Sequence, residues 1–549
     1  MTVTALNPVH LFLLAATASM LIIPPLWRLA PRIGLVDVPD ARKVHLIPVP
    51  RVGGWGITLG SLIPLVLWAR DNPLSQSFIA ASLIVFAFGV WDDLKDIGHW
   101  TKFLGQLLAA GVVVYYGGLY VSTLPFLSVE LNPAIGKPFT VVALVGIINA
   151  VNHSDGLDGL AAGESLLSLI AFAILGYLGD SRFVLGVALA AMGGILGFLR
   201  YNSYPARVFM GDAGSQVLGF TVGFLAVYLT QIGDTAVSPA LPLLALGIPL
   251  ADILAVLYLR IRGHMHWFRA TRNHVHHRLL DLGFRHYETV TIIYSVQAFL
   301  VVSAVLLRYQ ADLVVIAVYL GVVAGLFGAL TLAERVGWQR DRGPHSDALR
   351  RIAGAMRPLE RAKLAHQAPR ILISLAVPAF MLLGSLWVAR VPRDISLVSA
   401  LLAALLVVEV GRARASGSTL VRLAVYVAAV SSVYLIVNYP GPVTQRPVQL
   451  ATLALVALLA LAIGGYVRFA SEDAFGTTPT DYLILFVVLA LLVFGSLDIG
   501  PRGLVEIVVY AIVMLYSCEV LIGLARRRWS ALHLSALASL TIMAVRGVL

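Results

Sequence analysis

The chain has 549 residues, of which 59% are hydrophobic and only 13% charged, with 40 Lys and Arg against 29 Asp and Glu. A charged share about half that of a soluble domain, with a mean hydropathy of +0.87, excludes a water-soluble globular protein. The net charge of +11 is assigned to loops retained on one side of a membrane, so no nucleic-acid partner is expected.

Stretches of roughly 17–22 apolar residues recur from end to end, each about the length that crosses a bilayer as a helix. Such segments must satisfy their backbone internally, which predicts an all-α polytopic membrane protein. The first, residues 10–30, has no basic residue ahead of it and reads as a retained span rather than a leader. Ten more follow near 54–70, 76–91, 103–120, 139–152, 158–178, 183–199, 213–231, 237–259, 289–307 and 312–333. Up to Arg370, 24 Lys and Arg lie in or beside the odd-numbered connections and four (Arg70, Lys137, Arg182, Arg308) in or beside the even ones. That bias places the N-terminus outside and the odd loops in the cytoplasm.

After Glu334 the chain turns polar and basic. Ser346 and Asp347 can cap a helix with Leu349, Ile352, Met356 and Leu359 on one face among Arg350, Arg351, Arg357 and Arg361. An interfacial helix on anionic lipid and a plain linker helix both fit. From Ile371 six or seven further apolar segments follow, without paired carboxylates, a histidine cluster or a Gly-rich loop. The expected organisation is therefore a membrane domain over 1–335, a basic linker over 336–369, and a C-terminal membrane domain over 370–549 of unassigned role. Cys518 is the only cysteine and forms no internal disulfide.

Five polar clusters interrupt the first domain, and all fall in or beside odd loops: Asp37–Gly54, Asp92–Asp96, Asn149–Leu160, Arg207–Ser215 and Arg272–Arg278. In the second, a helix beginning at Asp92 would put Asp92 and Asp96 on one face, with Asp93 beside them. Carboxylates packed this closely imply a cation or a shared proton; acidic decoration of a helix start is the plain alternative. Asn149, Asn152, Asp155 and Asp158 recur every three residues, with Gly156 and Gly159 allowing a tight turn. Such oxygen ligands suit Mg²⁺. Phe209 precedes Gly211-Asp212 at a span start, where Asp212 can hold a metal shared with a phosphate and Phe209 offers a ring for a base or a simple interfacial anchor. His274, His276 and His277, flanked by Arg272 and Arg278, read as an anion clamp rather than a zinc site, since no cysteine is near. Arg42, Lys43, His45 and Arg51 add positive charge to the first loop. Carboxylates that hold a metal, together with cations, are what phosphoryl transfer requires, and a membrane setting suits a lipid substrate.

On these motifs, residues 10–335 resemble the polyprenyl-phosphate N-acetylhexosamine-1-phosphate transferases, an eleven-helix core here followed by six or seven extra membrane helices. The phrase RNHVHHRLLDLGF is similar to the branch that transfers GlcNAc-1-phosphate. The resemblance implies transfer of a sugar-1-phosphate from a UDP-sugar to undecaprenyl or decaprenyl phosphate, with release of UMP and use of Mg²⁺ or Mn²⁺. That would be a first membrane step in cell-envelope polysaccharide synthesis. It implies Asp212 and Asn152 at the metal, and Asp92, Asp93, Asp155, Asp158 and His276 in catalysis. Substrate binding would fall to Lys43, His45, Arg51, Asn149, Asn152, Asn202, Phe209 (against uracil), His274, His277 and Arg278. His153-Ser154 departs from the family, where apolar residues are common. The peptidoglycan phospho-N-acetylmuramoyl-pentapeptide transferase and a polytopic transporter are the competing readings; a homodimer is left open.

Overall fold

The computed structural model describes residues 8–38, 48–68, 72–126, 130–233, 236–264, 273–340, 363–411, 419–441, 445–469, 479–497, 499–500, 503–524 and 530–548. The expected helix at 346–361, and Lys43, His45 and Arg272, lie outside them. The first part comprises α1 (Pro8–Ile33), α2 (Gly53–Trp68), α3 (Pro73–Lys95), α4 (His99–Gly111), α5 (Pro133–Ser154), α6 (Leu160–Leu178), α7 (Arg182–Asn202), α8 (Gly211–Tyr228), α9 (Leu241–Arg262), α10 (Val275–Asp281), α11 (His286–Leu306) and α12 (Asp312–Arg335). One π-helical turn, Val112–Tyr116, extends α4 and another, Leu229–Gly233, extends α8. Apart from the short α10, these match the eleven expected spans. Seven helices follow: α13 (Lys363–Leu386), α14 (Arg393–Gly411), α15 (Thr419–Asn438), α16 (Gln445–Phe469), α17 (Pro479–Ser496), α18 (Leu504–Leu524) and α19 (Ala531–Arg546). Among the described residues thirteen helices are long and apolar enough to cross a membrane and four more are shorter but apolar. The protein is an all-α polytopic membrane protein.

The chain forms two compact units, residues 1–342 with 478–490, and residues 343–477 with 491–549. In the first, α6 and α8 bury 94% of their membrane-length windows and α12 only 17%, so α6 and α8 form the centre and α12 the rim. Both central helices carry small residues (Ala161, Ala162, Gly163 and Ser165; Ala213, Gly214, Ser215 and Gly219) that let neighbouring backbones approach. Helix α3 and α5 pack on α8, α7 on α6, and α1 on both α7 and α2. A two-stranded antiparallel ribbon, Val36–Asp37 with Val49–Pro50, leads into α2 and pairs Pro50 O with the Phe209 N–H at 2.8 Å.

Helix α9 is broken at Gly247 (φ 47°, ψ −116°), two residues before Pro249. A broken ladder at membrane depth needs another partner. Gln297 of α11 supplies it: its Oε1 accepts the Ile248 N–H at 2.9 Å, and its Nε2 donates to Ala245 O at 3.3 Å and Ser168 Oγ at 3.1 Å. Gln297→Leu should leave the Ile248 N–H unpaired in a dry interior, a cost of about 1–3 kcal/mol. A lower melting temperature in detergent will show it; an unchanged one refutes the role.

In the second unit, α13 packs on α19 and α16, and α15 on α18, where Arg422 and Glu519 form an ion pair at 2.5 Å. Arg546 closes the α13 C-terminus by donating to Ser385 O at 2.9 Å and Leu386 O at 2.6 Å. Cys518 is a buried free thiol.

Candidate active site

The acidic pair does not begin a helix. It occupies the last turn of α3, which Asp96 closes in a left-handed conformation (φ 48°), its N–H on Asp92 O. Asp96 is exposed and does not join Asp92, because it belongs to the cap and not to the helix face. Asp92 and Asp93 instead point into the bundle, 4% and 7% exposed. The two have different work. Asp93 Oδ1 accepts the Asp212 N–H at 2.9 Å and Oδ2 the Ala213 N–H at 3.0 Å, so this carboxylate caps the start of α8. Gly211 adopts φ 72°, and a Cβ there would stand 2.6 Å from Asp93 Oδ2, so only glycine admits the cap. Asp92 Oδ2 lies 2.5 Å from Lys102 Nζ of α4, which also reaches Asp212 Oδ2 at 3.2 Å. Asn152 Nδ2 donates to Asp212 Oδ1 at 2.6 Å and to Ser215 Oγ at 2.8 Å.

Four helices thus meet at one acid-and-amide pole: α3, α4, α5 and α8. Asn149, expected on the substrate, donates to Gln106 Oε1 at 2.7 Å; Gln106 donates to Gln216 Oε1 at 3.0 Å, a polar ladder beneath the pole. On its other face α4 presents Trp100, Leu104, Leu107 and Leu108, all exposed, so one short helix carries a half-buried cation and an apolar surface.

Asp155 follows Asn152 as the α5 cap residue and is exposed. Desolvation among the protein atoms around it, then the repulsion of Asp212, Asp93 and Asp158, pushes its carboxyl up to about 8, against the pull of Arg51. Asp158 turns aside: its Oδ2 accepts the Ala206 N–H at 2.9 Å. Asn202 also binds backbone, accepting the Gly159 N–H at 2.8 Å and donating to Val208 O at 2.9 Å. These two expected site residues tie the loops around the cleft. Phe209 is half-buried, its carbonyl accepting the Gly53 N–H at 2.9 Å, and Arg51 pairs with Asp37.

Opposite the acid pole lies a row of imidazoles. His153, at the end of α5, stacks on His274 with ring centroids 5.5 Å apart; His274 and His276 are 5.7 Å apart, and His276 and His277 4.2 Å. The Asn149–Leu160 segment and the histidine segment touch: a Cβ on Gly156 would stand 2.3 Å from His276 Nε2. Burial, then His277, lowers the His276 imidazole to about 3. Arg278 leaves the row. Its Nε and Nη2 donate to Glu334 at 2.7 and 2.8 Å, and Nη2 to Thr331 at 3.0 Å, which anchors α10 to α12.

Two groups at this site lie outside the sequence expectations, Lys102 and Asp252. Asp252 of α9 is bonded to His274 and carried a readable signal, an acid within an apolar span. Lys102 carried little, being one basic residue among many in odd loops.

The acid pole fits a hard divalent cation. Asp92 Oδ1 is buried without a hydrogen-bond partner, and Asp92, Asp212 and Asn152 bring side-chain oxygens to the pole, where Lys102 Nζ now stands between the two carboxylates. Among the described residues no three His, Cys, Asp or Glu side chains close on one point as a metal cage.

Buried carboxylates, a lysine and an imidazole row at one end of a helical bundle define a polytopic membrane enzyme for anionic substrates. Residues 75–230 match the family model described as glycosyl transferase family 4. The chain is 33% identical over 300 residues to a Bacillus subtilis protein named probable undecaprenyl-phosphate N-acetylglucosaminyl 1-phosphate transferase, covering 54% of this chain and 84% of that one. It is 32% identical over 364 residues to the Mycobacterium tuberculosis decaprenyl-phosphate N-acetylglucosaminephosphotransferase, covering 59% and 88%. It is 32% identical over 291 residues to the Escherichia coli K12 undecaprenyl-phosphate alpha-N-acetylglucosaminyl 1-phosphate transferase, covering 52% and 79%. The chain belongs to this family, the polyprenyl-phosphate N-acetylhexosamine-1-phosphate transferases, and is a membrane transferase.

Proposed function

We propose that the protein transfers GlcNAc-1-phosphate from UDP-GlcNAc to a polyprenyl phosphate, with UMP as the leaving group, at the cytoplasmic face of a bacterial inner membrane. The observation that carries this reading is the meeting of the acid pole (Asp92, Asp212, Asn152) and the imidazole row at one end of the bundle. A pyrophosphate needs stabilising along its length: the acid pole would do this through a bound cation and the imidazole row by donating hydrogen bonds. The 24-to-4 bias of basic residues supports the cytoplasmic side.

Asp212 and Asn152, with the unpartnered oxygen of Asp92, would hold Mg²⁺ or Mn²⁺, which supplies positive charge to the phosphates when bound. In the reaction an oxygen of the lipid phosphate attacks the phosphorus bearing the sugar. The bond from that phosphorus to the bridging oxygen breaks, and the bridging oxygen leaves on UMP. A phosphate monoester has its second pKa near 6, so it arrives largely ionised at neutral pH. Asp92 and Lys102 therefore position the lipid phosphate rather than deprotonate it. Asp93, with both oxygens on α8, acts by fixing Asp212. Phe209 would stack on uracil, and His276 and His277 would donate to the sugar-side phosphate. Every residue in these roles lies between Asp92 and His277, which supports a catalytic centre that does not draw on residues 370–549.

Membranes containing the protein, given labelled UDP-GlcNAc and polyprenyl phosphate, should form lipid-linked GlcNAc-phosphate and UMP, and lose this activity in EDTA. UDP-MurNAc-pentapeptide as the better donor would overturn the sugar assignment. Uptake of nucleotide sugar without any transfer would make the protein a transporter.

A further inference from the structure

The imidazole row is held in place by a residue that touches none of the acid pole. Asp252 lies in the C-terminal half of α9, 4% exposed, five residues beyond the break at Gly247. Its Oδ2 is 2.6 Å from His274 Nδ1, and its Oδ1 accepts the Val275 N–H at 2.8 Å. One carboxylate thus grips both the side chain of the residue that caps α10 and the first amide of that helix. His274 is itself only 8% exposed. An ionised carboxylate only accepts hydrogen bonds, so the proton of His274 must sit on Nδ1. Nε2, on the opposite edge of the ring, is left for substrate.

We propose that Asp252 is a positioning residue for the transfer reaction: it fixes the tautomer and angle of His274, and through Val275 the start of α10, so that Nε2 is held as a hydrogen-bond acceptor for a hydroxyl or N–H of the donor's sugar. This rests on the proposed function, because it takes the histidine row as the donor side of the cleft. An aspartate that orients an imidazole loses its effect when made an amide, because the amide N–H faces Nδ1 and reverses the tautomer. Asp252→Asn is well suited to the question, since its Oδ1 still accepts the Val275 N–H and the backbone anchor survives.

The test is steady-state kinetics in detergent with UDP-GlcNAc and polyprenyl phosphate varied separately, in the wild type, Asp252→Asn, His274→Ala and the double variant, with melting temperatures measured alongside. Asp252→Asn should lower kcat/KM for UDP-GlcNAc on the order of 10²-fold or more, and leave KM for the lipid near wild type. In the His274→Ala background the same change should cost less than about twofold, because residues acting as a unit are not additive. Full kcat/KM in Asp252→Asn overturns the inference, as does an equal loss in both backgrounds, which would mark a packing role. His274→Asn guards against a misfolded Asp252 variant. It keeps a donor for Asp252 and removes Nε2, so it should melt near wild type and lose donor kcat/KM; unaltered donor kinetics there refute the proposal. Wild-type turnover of UDP-GlcNAc is the control for the functional reading: without it that reading fails first, and with it a null result falls on Asp252 alone.

Discussion

Asp212→Asn should lower kcat by about 10³-fold or more, with the protein still folded in detergent. The expected size follows from removing preorganised charge at a transition state. The fold should survive because Asn152 Nδ2 still finds an oxygen at position 212, in place of its present 2.6 Å bond to Asp212 Oδ1. Meanwhile the new amide N–H can donate to Asp92, whose carboxylate faces Asp212 across Lys102. What disappears is one negative charge, and with it the tightest ligand available to a divalent ion. Single-turnover measurements with excess Mg²⁺ check the claim. More than about a tenth of wild-type turnover, with this charge gone, would remove Asp212 from the metal site, since each tenfold in rate is only 1.36 kcal/mol.

Lys102→Met should act in two opposed ways. Lys102 Nζ lies 2.5 Å from Asp92 Oδ2 and 3.2 Å from Asp212 Oδ2, so it neutralises the two carboxylates that face each other. Methionine preserves the length of the side chain and removes the charge. Unshielded carboxylates attract a divalent cation more strongly, and the Mg²⁺ concentration for half-maximal rate should fall. The rate itself should drop by on the order of 10²-fold, because the cation that would meet the lipid phosphate is gone. Lys102→Arg should rescue poorly, since a planar fork does not replace a compact point charge between two acids. A Mg²⁺ titration of both variants separates the effects. Should Lys102→Met reach wild-type kcat at saturating Mg²⁺, the lysine is a placeholder for the ion and takes no part in the reaction.

Much of the architecture was legible because hydropathy reports length, and length decides what can cross a bilayer. The eleven spans of the first part and the gathering of the polar clusters followed from that alone. Local geometry was harder. Asp92 and Asp93 read as a helix start, yet they end α3; an apolar stretch shows where a span lies but not how many polar residues its last turn carries beyond it. Asn202, Asp158 and Arg278 are residue types that a phosphoryl-transfer site uses, and the fold bonds them to Val208 and Gly159, to Ala206, and to Glu334. Composition cannot distinguish a polar group aimed at substrate from one satisfying a loop, because both need the same atoms. The partnership of Asp252 with His274 spans 22 residues and depends on how α9 and α10 meet, which no local pattern encodes.

Helix α4 bears Lys102 toward the acid pole while Trp100, Leu104, Leu107 and Leu108 face outward. An apolar face on the helix that carries Lys102 suits chemistry at the level where an amphiphile changes from headgroup to chain. An acceptor anchored by a long isoprenoid tail meets such a site by travelling within a film, and its supply is a surface density, not a bulk concentration. Rates measured in micelles or vesicles will accordingly follow the mole fraction of acceptor among all amphiphiles, and inert lipid added at a fixed total amount of acceptor will slow the enzyme as if it were an inhibitor.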